Sequence, residues 1–563
     1  MRNLICLFFV VFTPTLHSQW STDPFVNNPI CTEVNTQDQP DICTDGVGGA
    51  IIAWKDQRAG LDDIYAQRID WQGNRVWQLN GIPVCDVDYS QRQVQVVPDG
   101  LGGAILVWTD DRNGTSNPDI YAQKIGADGS ALWDLDGILV CGAVEGQGDP
   151  RLVADGQGGA IVVWVDGRVV GDPDLYAQRV SSAGVSLWAP NGIPVTTLDR
   201  DEDEISAIGD GVGGAFVIWT DDRTVQLPKV YAQHIDSSGN LVWAVDGLLV
   251  ADNGGFQWAP YLEADNEGGM LVAWQQSNAT CVGINAQRLD SGGNIMWDQT
   301  GVDICCISGN HRRPKVVGTG GGGAIVVWDD SRAGQEWTVY SQTVDPGGNP
   351  VFPNGFPLGV AVAGQFLPTL VTDDDGGAIV SWWDERGTYS PDIHAQRVSS
   401  KGFVWWDPGS VPISTAMSEQ VETVMEADGS GGTIIAWVDG RNFSQTGGYD
   451  IYAQRVGADG LLGGTTDVDQ IADPIPLEFT LSQNYPNPFN PSTTMSFSIQ
   501  NRAEVSLKIF NFLGEEVATL VSGNRDAGTH TVQWDATGQP SGVYFCRLLT
   551  TDFVQTEKLV LVR

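Results

Sequence analysis

The sequence predicts an all-β protein: an eight-bladed β-propeller closed by an N-terminal strand, followed by a small immunoglobulin-like β-sandwich. Three observations carry this prediction. First, a Gly-Gly pair recurs at Gly48, Gly102, Gly158, Gly213, Gly268, Gly322, Gly376 and Gly431, a period of 54 to 56 residues. Repeats on that period mark a propeller, solenoid or array. Second, each repeat holds four strand-like runs, the content of one propeller blade. Third, the two ends of the array complement each other. The eighth repeat lacks a fourth strand, and a spare one precedes the first repeat, where Trp20 and Asn28-Pro29-Ile30-Cys31 resemble Trp77 and Ile82-Pro83-Val84-Cys85. Closure of this kind removes free sheet edges, whereas a linear solenoid needs polar caps.

In chain order, residues 1–18 read as a secretory signal, with Arg2 before an apolar run too short to span a bilayer. No later transmembrane segment is expected. The propeller is expected over residues 19–460. In the first repeat, the innermost strand is Pro40–Cys43. The second is Gly49–Asp56, apolar on both faces and so buried between neighbours. The third is Asp63–Asp70, and the fourth starts near Asn74 and runs through Trp77 to Cys85. A linker over 461–476 then leads to strands that alternate from 477 to 563.

Composition excludes some functions. The net charge is −40, which opposes nucleic-acid binding, because phosphate backbones need a basic patch. The same charge favours solubility outside the cell. Cys31, Cys85, Cys141 and Cys305 share one repeat position, where other copies have Thr196, Ala251, Gly359 and Ser414. Replacement by small residues points to buried thiols rather than a disulfide framework. There is no HExxH, no P-loop and no nucleophile elbow. The acidic turn Asp373-Asp374-Asp375 lacks the ligand series of a calcium loop, so no cofactor is expected.

Residues that recur in every copy are read as scaffold. These are the Trp six residues after each Gly-Gly, the third-strand Gln (Gln67 and its equivalents), and the Asp and Arg at +2 and +4 from the Trp, as in Asp56/Arg58, which appear in seven copies. The turn before Trp133 is similar to the Asp-box of sialidase-like propellers. Its Gly lies one residue too early, so no glycosidase activity is carried over.

Chemistry specific to this protein is expected where copies differ. The innermost strands diverge most, and alternate side chains of such a strand face the propeller channel. The fifth copy replaces the Asp/Arg pair with Gln276 and Asn278 and the Tyr with Asn285, and it adds Phe256, Trp258 and Tyr261. The sixth follows with His311, Arg312, Arg313 and Lys315. An aromatic cluster beside a basic cluster, in an acidic protein, makes Trp258, Tyr261, Gln276, Asn278, Asn285, His311, Arg313 and Lys315 the candidate ligand site.

At the C-terminus, Gln483-Asn484-Tyr485-Pro486-Asn487-Pro488-Phe489-Asn490-Pro491, Leu513-Gly514, Pro540-Ser541-Gly542-Val543-Tyr544 and Lys558-Leu559-Val560-Leu561-Val562 occur in order. This stretch resembles the type A C-terminal sorting domains of the type IX secretion system. The resemblance implies Asn484, Pro486, Asn487, Pro488, Gly514, Gly542, Tyr544 and Lys558 as sorting-signal residues, the type IX machinery as a partner, and a secreted or outer-surface location reached through the periplasm. The expected function is a binding or adhesion platform for an extracellular glycan or protein. The alternative is a secreted polysaccharide hydrolase or lyase with its site at the channel mouth.

Overall fold

The computed structural model describes residues 20–562 except 172, 199–201, 224–226, 253, 279–280, 333–335, 360–363, 387–389, 407–408, 464–479, 482–486, 488, 500–502, 513–514, 526–527 and 551–552. The expected signal and nearly all of the expected linker lie outside the described residues. The chain divides into two compact units, Met1–Thr466 and Asp467–Arg563. Among the described residues, no helix is long and apolar enough to cross a membrane.

The first unit is a series of eight four-stranded antiparallel sheets. The first sheet is Gln37–Thr44, Ala50–Asp56, Asp63–Ile69 and Ile82–Cys85. The pattern repeats through the fifth sheet (Phe256–Ala264, Met270–Ser277, Val282–Leu289, Val302–Cys305). The sixth is Gly309–Gly318, Ala324–Arg332, Thr338–Val344 and Phe356–Pro357. The seventh is Gln365–Thr372, Ala378–Asp384, Asp392–Val398 and Val411–Ser414. The eighth takes Gln420–Ala427, Thr433–Asp439 and Asp450–Val456 from its own repeat, and Asn28–Cys31 as its outer strand.

The second strand of each sheet is the core. Its Trp is fully buried in all eight copies, from Trp54 to Trp437. Each such ring removes ~150–250 Å² from water, a gross gain of about 4–6 kcal/mol. Cores form between sheets, not within them: Trp108 of the second sheet packs with Ile51, Ala53 and Cys85 of the first. The first and last sheets share a core in the same way, with Trp20, Ile30 and Ile434 packed against Ile42, Ile52 and Trp54.

The fourth strand is shorter than its sequence suggests. Residues 74–81 are turn and loop apart from an isolated bridge of Arg75 to Ile69, and the strand itself is Ile82–Cys85. The reason is the third-strand Gln. The amide of Gln67 donates to the Gln78 carbonyl (2.7 Å) and accepts from the Trp77 N–H (3.0 Å), replacing strand pairing with a side-chain brace. This bond fixes the constant ten-residue spacing from Gln to Trp and recurs from Gln123 to Trp133 and from Gln396 to Trp406. The braced Trp then reaches the next sheet, as Trp77 Nε1 donates to the Ala127 carbonyl (3.1 Å). Trp20 makes the equivalent bond from the eighth sheet to the first, to the Trp71 carbonyl (3.0 Å). The turn glycine beside it cannot be replaced: Gly73 has φ 87°, and an added Cβ would lie 3.0 Å from Trp20.

Every innermost strand carries a β-bulge, which no single copy advertises. At Gln39, Gln93, Asp149, Glu204, Ala259, Arg313, Leu367 and Glu422 the backbone is left-handed, with φ between 49° and 57°. Non-glycine residues adopt this region only under constraint. In five cases a side chain of the preceding sheet accepts the N–H at the bulge. Glu422 serves Gln39 (2.8 Å), Gln93 serves Asp149, Glu204 serves Ala259, Gln275 serves Arg313, and Asp329 serves Leu367 (2.9 Å).

In the second unit, a three-stranded sheet (Thr480–Leu481, Ser492–Ile499, Gly528–Asp535) and a four-stranded sheet (Ala503–Asn511, Glu516–Arg525, Gly542–Leu549, Val554–Leu561) share a core that includes Phe489, Phe497, Trp534 and Tyr544.

Candidate functional site

The recurrent Asp/Arg pairs are internal braces. Asp56 is fully buried. Its carboxylate accepts from Trp54 Nε1 (2.7 Å), from the Arg58 N–H and Nε (both 2.9 Å) and from Arg58 Nη2 (2.6 Å). Arg58 also lies over the Tyr65 ring at 3.9 Å and donates to the Asn80 carbonyl. Bidentate geometry, burial and ring stacking make this pair stronger than an exposed one. With every oxygen of Asp56 engaged, it offers no coordination to a ligand. The cysteines of the repeat column sit against these braces as free buried thiols, and burial pushes Cys31, Cys85 and Cys141 up to about 12. A disulfide that the spacing did not reveal joins Cys281 to Cys306 in the fifth sheet.

A second brace pairs the third-strand cation with the Asp of the hairpin turn. Arg68 Nη2 lies 2.9 Å from Asp45 and its Nη1 donates to Ala127 of the next sheet (3.0 Å). Arg179/Asp155, Arg397/Asp373 and Arg455/Asp428 repeat it. In the sixth sheet both partners change together, to Thr343 and Thr319, as expected of a pair whose single loss strands a buried charge.

The eight candidate ligand residues separate into two groups. Gln276 and Asn285 are buried and donate to Asp303 (3.0 and 3.1 Å), a local substitute for the missing brace. Trp274 Nε1, which in the other sheets meets the brace Asp, is left buried without an acceptor. Asn278 shapes the turn that holds Cys281, whose N–H donates to its side chain (2.8 Å). His311 replaces the Gln that starts five other inner strands, and its Nδ1 lies 3.0 Å from Asp330 and 3.7 Å from Cys305 Sγ. These three ligand atoms lie within 4.8 Å of one another. Yet Asp330 also accepts from Trp328 and three times from Arg332, so donors already fill the space a cation would take. Burial opposes charging of His311, but its bond to Asp330 prevails and raises it to about 10. These four residues therefore belong to the scaffold of the fifth and sixth sheets.

Tyr261, Arg313 and Lys315 lie instead where the innermost strands converge. They line a cavity of about 710 Å³, to which six sheets contribute residues that include Asp41, Gln95, Thr369 and Glu422. Lys315 Nζ sits 3.9 Å above the Tyr261 ring. Trp258 lies on the same strand as Tyr261, before the bulge and opposite Gln275. The cavity walls perturb their ionisable groups. Desolvation raises Asp41 to about 6; on the adjacent inner strand, outside the cavity lining, desolvation with Asp41 and Glu263 nearby raises Glu426 to about 7. Desolvation and Arg151 lower Lys315 to about 8.

Sequence reasoning named Arg312 in the basic cluster but missed the aromatic group it belongs to, which reaches this cavity through Trp383. Arg312 lies 3.6 Å over the Trp337 ring, and Trp337 is 6.2 Å from Phe366. Phe366 pairs across strands with Trp383, which lines the cavity. The available signal was the column that holds Lys55, Thr109, Val165, Thr220, Gln275, Asp329 and Val438, where only this copy places an aromatic.

Residues 483–562 match the family model described as the secretion system C-terminal sorting domain. The chain thus carries a type IX sorting tail and is a secreted or cell-surface protein. Within the tail, Asn487 Nδ2 donates to the Lys558 carbonyl (3.0 Å) and its Oδ1 accepts from Val560 (2.9 Å), tying the motif to the last strand. Tyr544 donates to the Pro540 carbonyl (2.8 Å), and Gly542 opens its strand. Asn484, Pro486, Pro488 and Gly514 lie outside the described residues. No curated protein matches the sequence. Solved structures similar to this chain include the following three. The BP39L lectin from Burkholderia pseudomallei is 12% identical, with TM-score 0.45, covering 67% of this chain and 99% of that one. A PL25 polysaccharide lyase, an ulvan lyase, is 11% identical, with TM-score 0.39, covering 79% and 97%. The GH93 α-L-arabinofuranosidase of Fusarium graminearum is 11% identical, with TM-score 0.33, covering 57% and 96%. All three TM-scores lie below 0.5, and no activity follows from them.

Proposed function

We propose that residues 19–460 close into an eight-bladed propeller, and that this propeller is a binding platform for an extracellular polymer, glycan or protein, with the ligand held at the axial cavity. Residues 1–18 serve as the signal, 461–476 as a linker, and 477–563 as an immunoglobulin-like sorting domain handled by the type IX machinery. Closure is supported by the bonds from the eighth sheet to the first, Trp20 to Trp71 and Glu422 to Gln39, which repeat those between interior sheets. The observation that carries the binding reading is the contrast between columns. Recurrent polar residues are consumed in braces, while the cavity is lined by residues that differ from copy to copy, among them Tyr261, Arg313 and Lys315. Preformed concave sites with few polar groups are where ligands bind. The test is a glycan and protein array probed with the full chain and with a Tyr261→Ala/Lys315→Ala variant of unchanged thermal stability. Loss of the wild-type hits in the variant is expected; identical hits would refute the site.

A second reading, a polysaccharide hydrolase or lyase, draws on one carboxyl group of this cavity and one beside it. Asp41 and Glu426, raised to about 6 and about 7, are carboxyl groups poised near neutral pH, as acid–base catalysis requires. Turnover of any array hit, abolished in Asp41→Asn or Glu426→Gln with binding retained, would favour the enzyme. Hits that bind without turnover favour the platform.

A further inference from the structure

We infer that the edge of the axial cavity between the sixth and seventh sheets is a subsite for an anionic saccharide, one bearing carboxylate or sulfate groups. Arg312 is its anion-binding group, and Trp383 with Phe366 is its sugar-facing wall. This inference rests on the platform reading and names the ligand class at that site.

The first argument is charge. The protein has only 30 Lys and Arg against 70 Asp and Glu, and the repeat unit spends most of its cations in braces. Among the described residues, Arg312, Arg151 and Lys315 are innermost-strand cations that form no ion pair. Arg151 donates only to carbonyls, those of Ile205, Pro150 and Asp149. Arg312 is more exceptional still. Its Nε is buried and has no hydrogen-bond partner. The nearest carboxylate, Asp329, is taken by Arg313 Nη1 (2.7 Å) and by the Leu367 N–H (2.9 Å). The adjacent Arg313 repels it further. A guanidinium held flat on an indole, beside a second cation and with a donor unsatisfied, is an arrangement that an anion would complete.

The second argument is the apolar wall. Phe366 and Trp383 lie directly opposite one another across two strands of the seventh sheet, so their rings share one face. Trp383 presents to the cavity an indole N–H that is itself buried and has no acceptor. A ring face with a donor at its edge suits a sugar, whose C–H face packs on the ring while a hydroxyl accepts from the indole. Two orphaned donors, Arg312 Nε and Trp383 Nε1, belong to adjacent sheets and are linked through the Trp337 and Phe366 rings. An acidic peptide would satisfy the cation but gives the Trp383 wall no role, so the saccharide is the better occupant.

The test is calorimetric titration of the full chain with oligogalacturonate, its methyl-esterified counterpart, a chondroitin sulfate oligosaccharide, an acidic peptide and inorganic sulfate. At least one anionic saccharide is expected to bind. The corresponding neutral sugar should bind at least tenfold more weakly, and sulfate should compete only at high concentration. Arg312→Gln should weaken the anionic saccharide tenfold or more, with Arg312→Lys recovering part of the loss. Trp383→Phe, which keeps the ring and removes the donor, should weaken it several-fold. Melting temperatures of the variants report whether each remains folded, and the conservative pair keeps the test valid if Arg312→Gln does not. Equal binding of neutral and anionic sugars, tighter binding of the peptide, or indifference to both Arg312 variants would overturn the inference. In those cases binding that still depends on Tyr261 and Lys315 leaves the platform standing. A chain that binds no glycan or protein at all would overturn both.

Discussion

Replacing Asp166 with Ala should destabilise the repeat unit without touching the ligand site. Asp166 is fully buried and accepts from Trp164 Nε1 (2.8 Å), from the Arg168 N–H (3.0 Å), and from Arg168 Nε (2.8 Å) and Nη2 (2.6 Å). Arg168 is otherwise held over the Tyr176 ring (3.6 Å) and to the Asn191 carbonyl (2.8 Å). The variant strands a buried indole N–H and removes the only carboxylate paired with Arg168 among the described residues. Breaking such a buried pair costs about 3–5 kcal/mol. The unfolding entropy of roughly 2.1 cal/mol/K per residue gives the repeat unit about 0.9 kcal/mol/K, so the melting temperature should fall by about 3–5 °C. Calorimetry of the full chain measures it. Adding Arg168→Ala to the first variant should cost little more, because the pair acts as a unit. A fall below 1 °C, or lost ligand binding at an unchanged melting temperature, would refute the reading of these pairs as braces.

Three further outcomes follow from the same structure. His311 is raised to about 10 by Asp330, so the stability it contributes is complete below its unfolded value near 6.5 and is lost as pH rises toward 10. The gap in melting temperature between wild type and His311→Gln should therefore be widest in acid and close with alkali; a constant gap would count against the ion pair. Glu426 is raised to about 7 by burial and by Asp41 and Glu263, so its ionisation costs stability as pH rises through 7. Glu426→Gln should match wild type at pH 4 and be the more stable at pH 8, and the reverse order would contradict the burial of this carboxyl beside Asp41 and Glu263. Deleting residues 477–563 should leave the protein in the periplasm, and its recovery outside the cell would remove the sorting role of the tail.

Much of the architecture could be read from the chain because the repeat averages out noise. Eight aligned copies expose the Gly-Gly and Trp columns, and the displaced strand Asn28–Cys31 betrays its place beside Asp450–Val456. The role of Gln67 was legible in outline, since a fixed ten-residue spacing implies a fixed contact. The fourth strand was overextended because that same contact, made by a side chain, imitates strand pairing in the sequence. The bulge escaped notice because its signal, a left-handed residue before the Pro40 column, falls on Gln, Asp, Glu, Ala, Arg and Leu rather than on Gly. The candidate site was only half legible. Divergence from the consensus flagged Tyr261, Arg313 and Lys315, but it equally flagged Gln276, Asn285 and His311, which diverge to repair a brace. Divergence marks both novelty and compensation, and only contacts separate the two. Arg312, Trp337, Phe366 and Trp383 come from three strands and one loop of two sheets, so no local pattern joins them.

The most direct test of the account is hydrogen–deuterium exchange of the full chain with and without a bound array hit. The account predicts added protection in the inner strands Phe256–Ala264, Gly309–Gly318 and Gln365–Thr372, with the outer strands and the sorting tail unchanged. Protection confined to the outer strands or the tail, with those three strands unaffected, would contradict it.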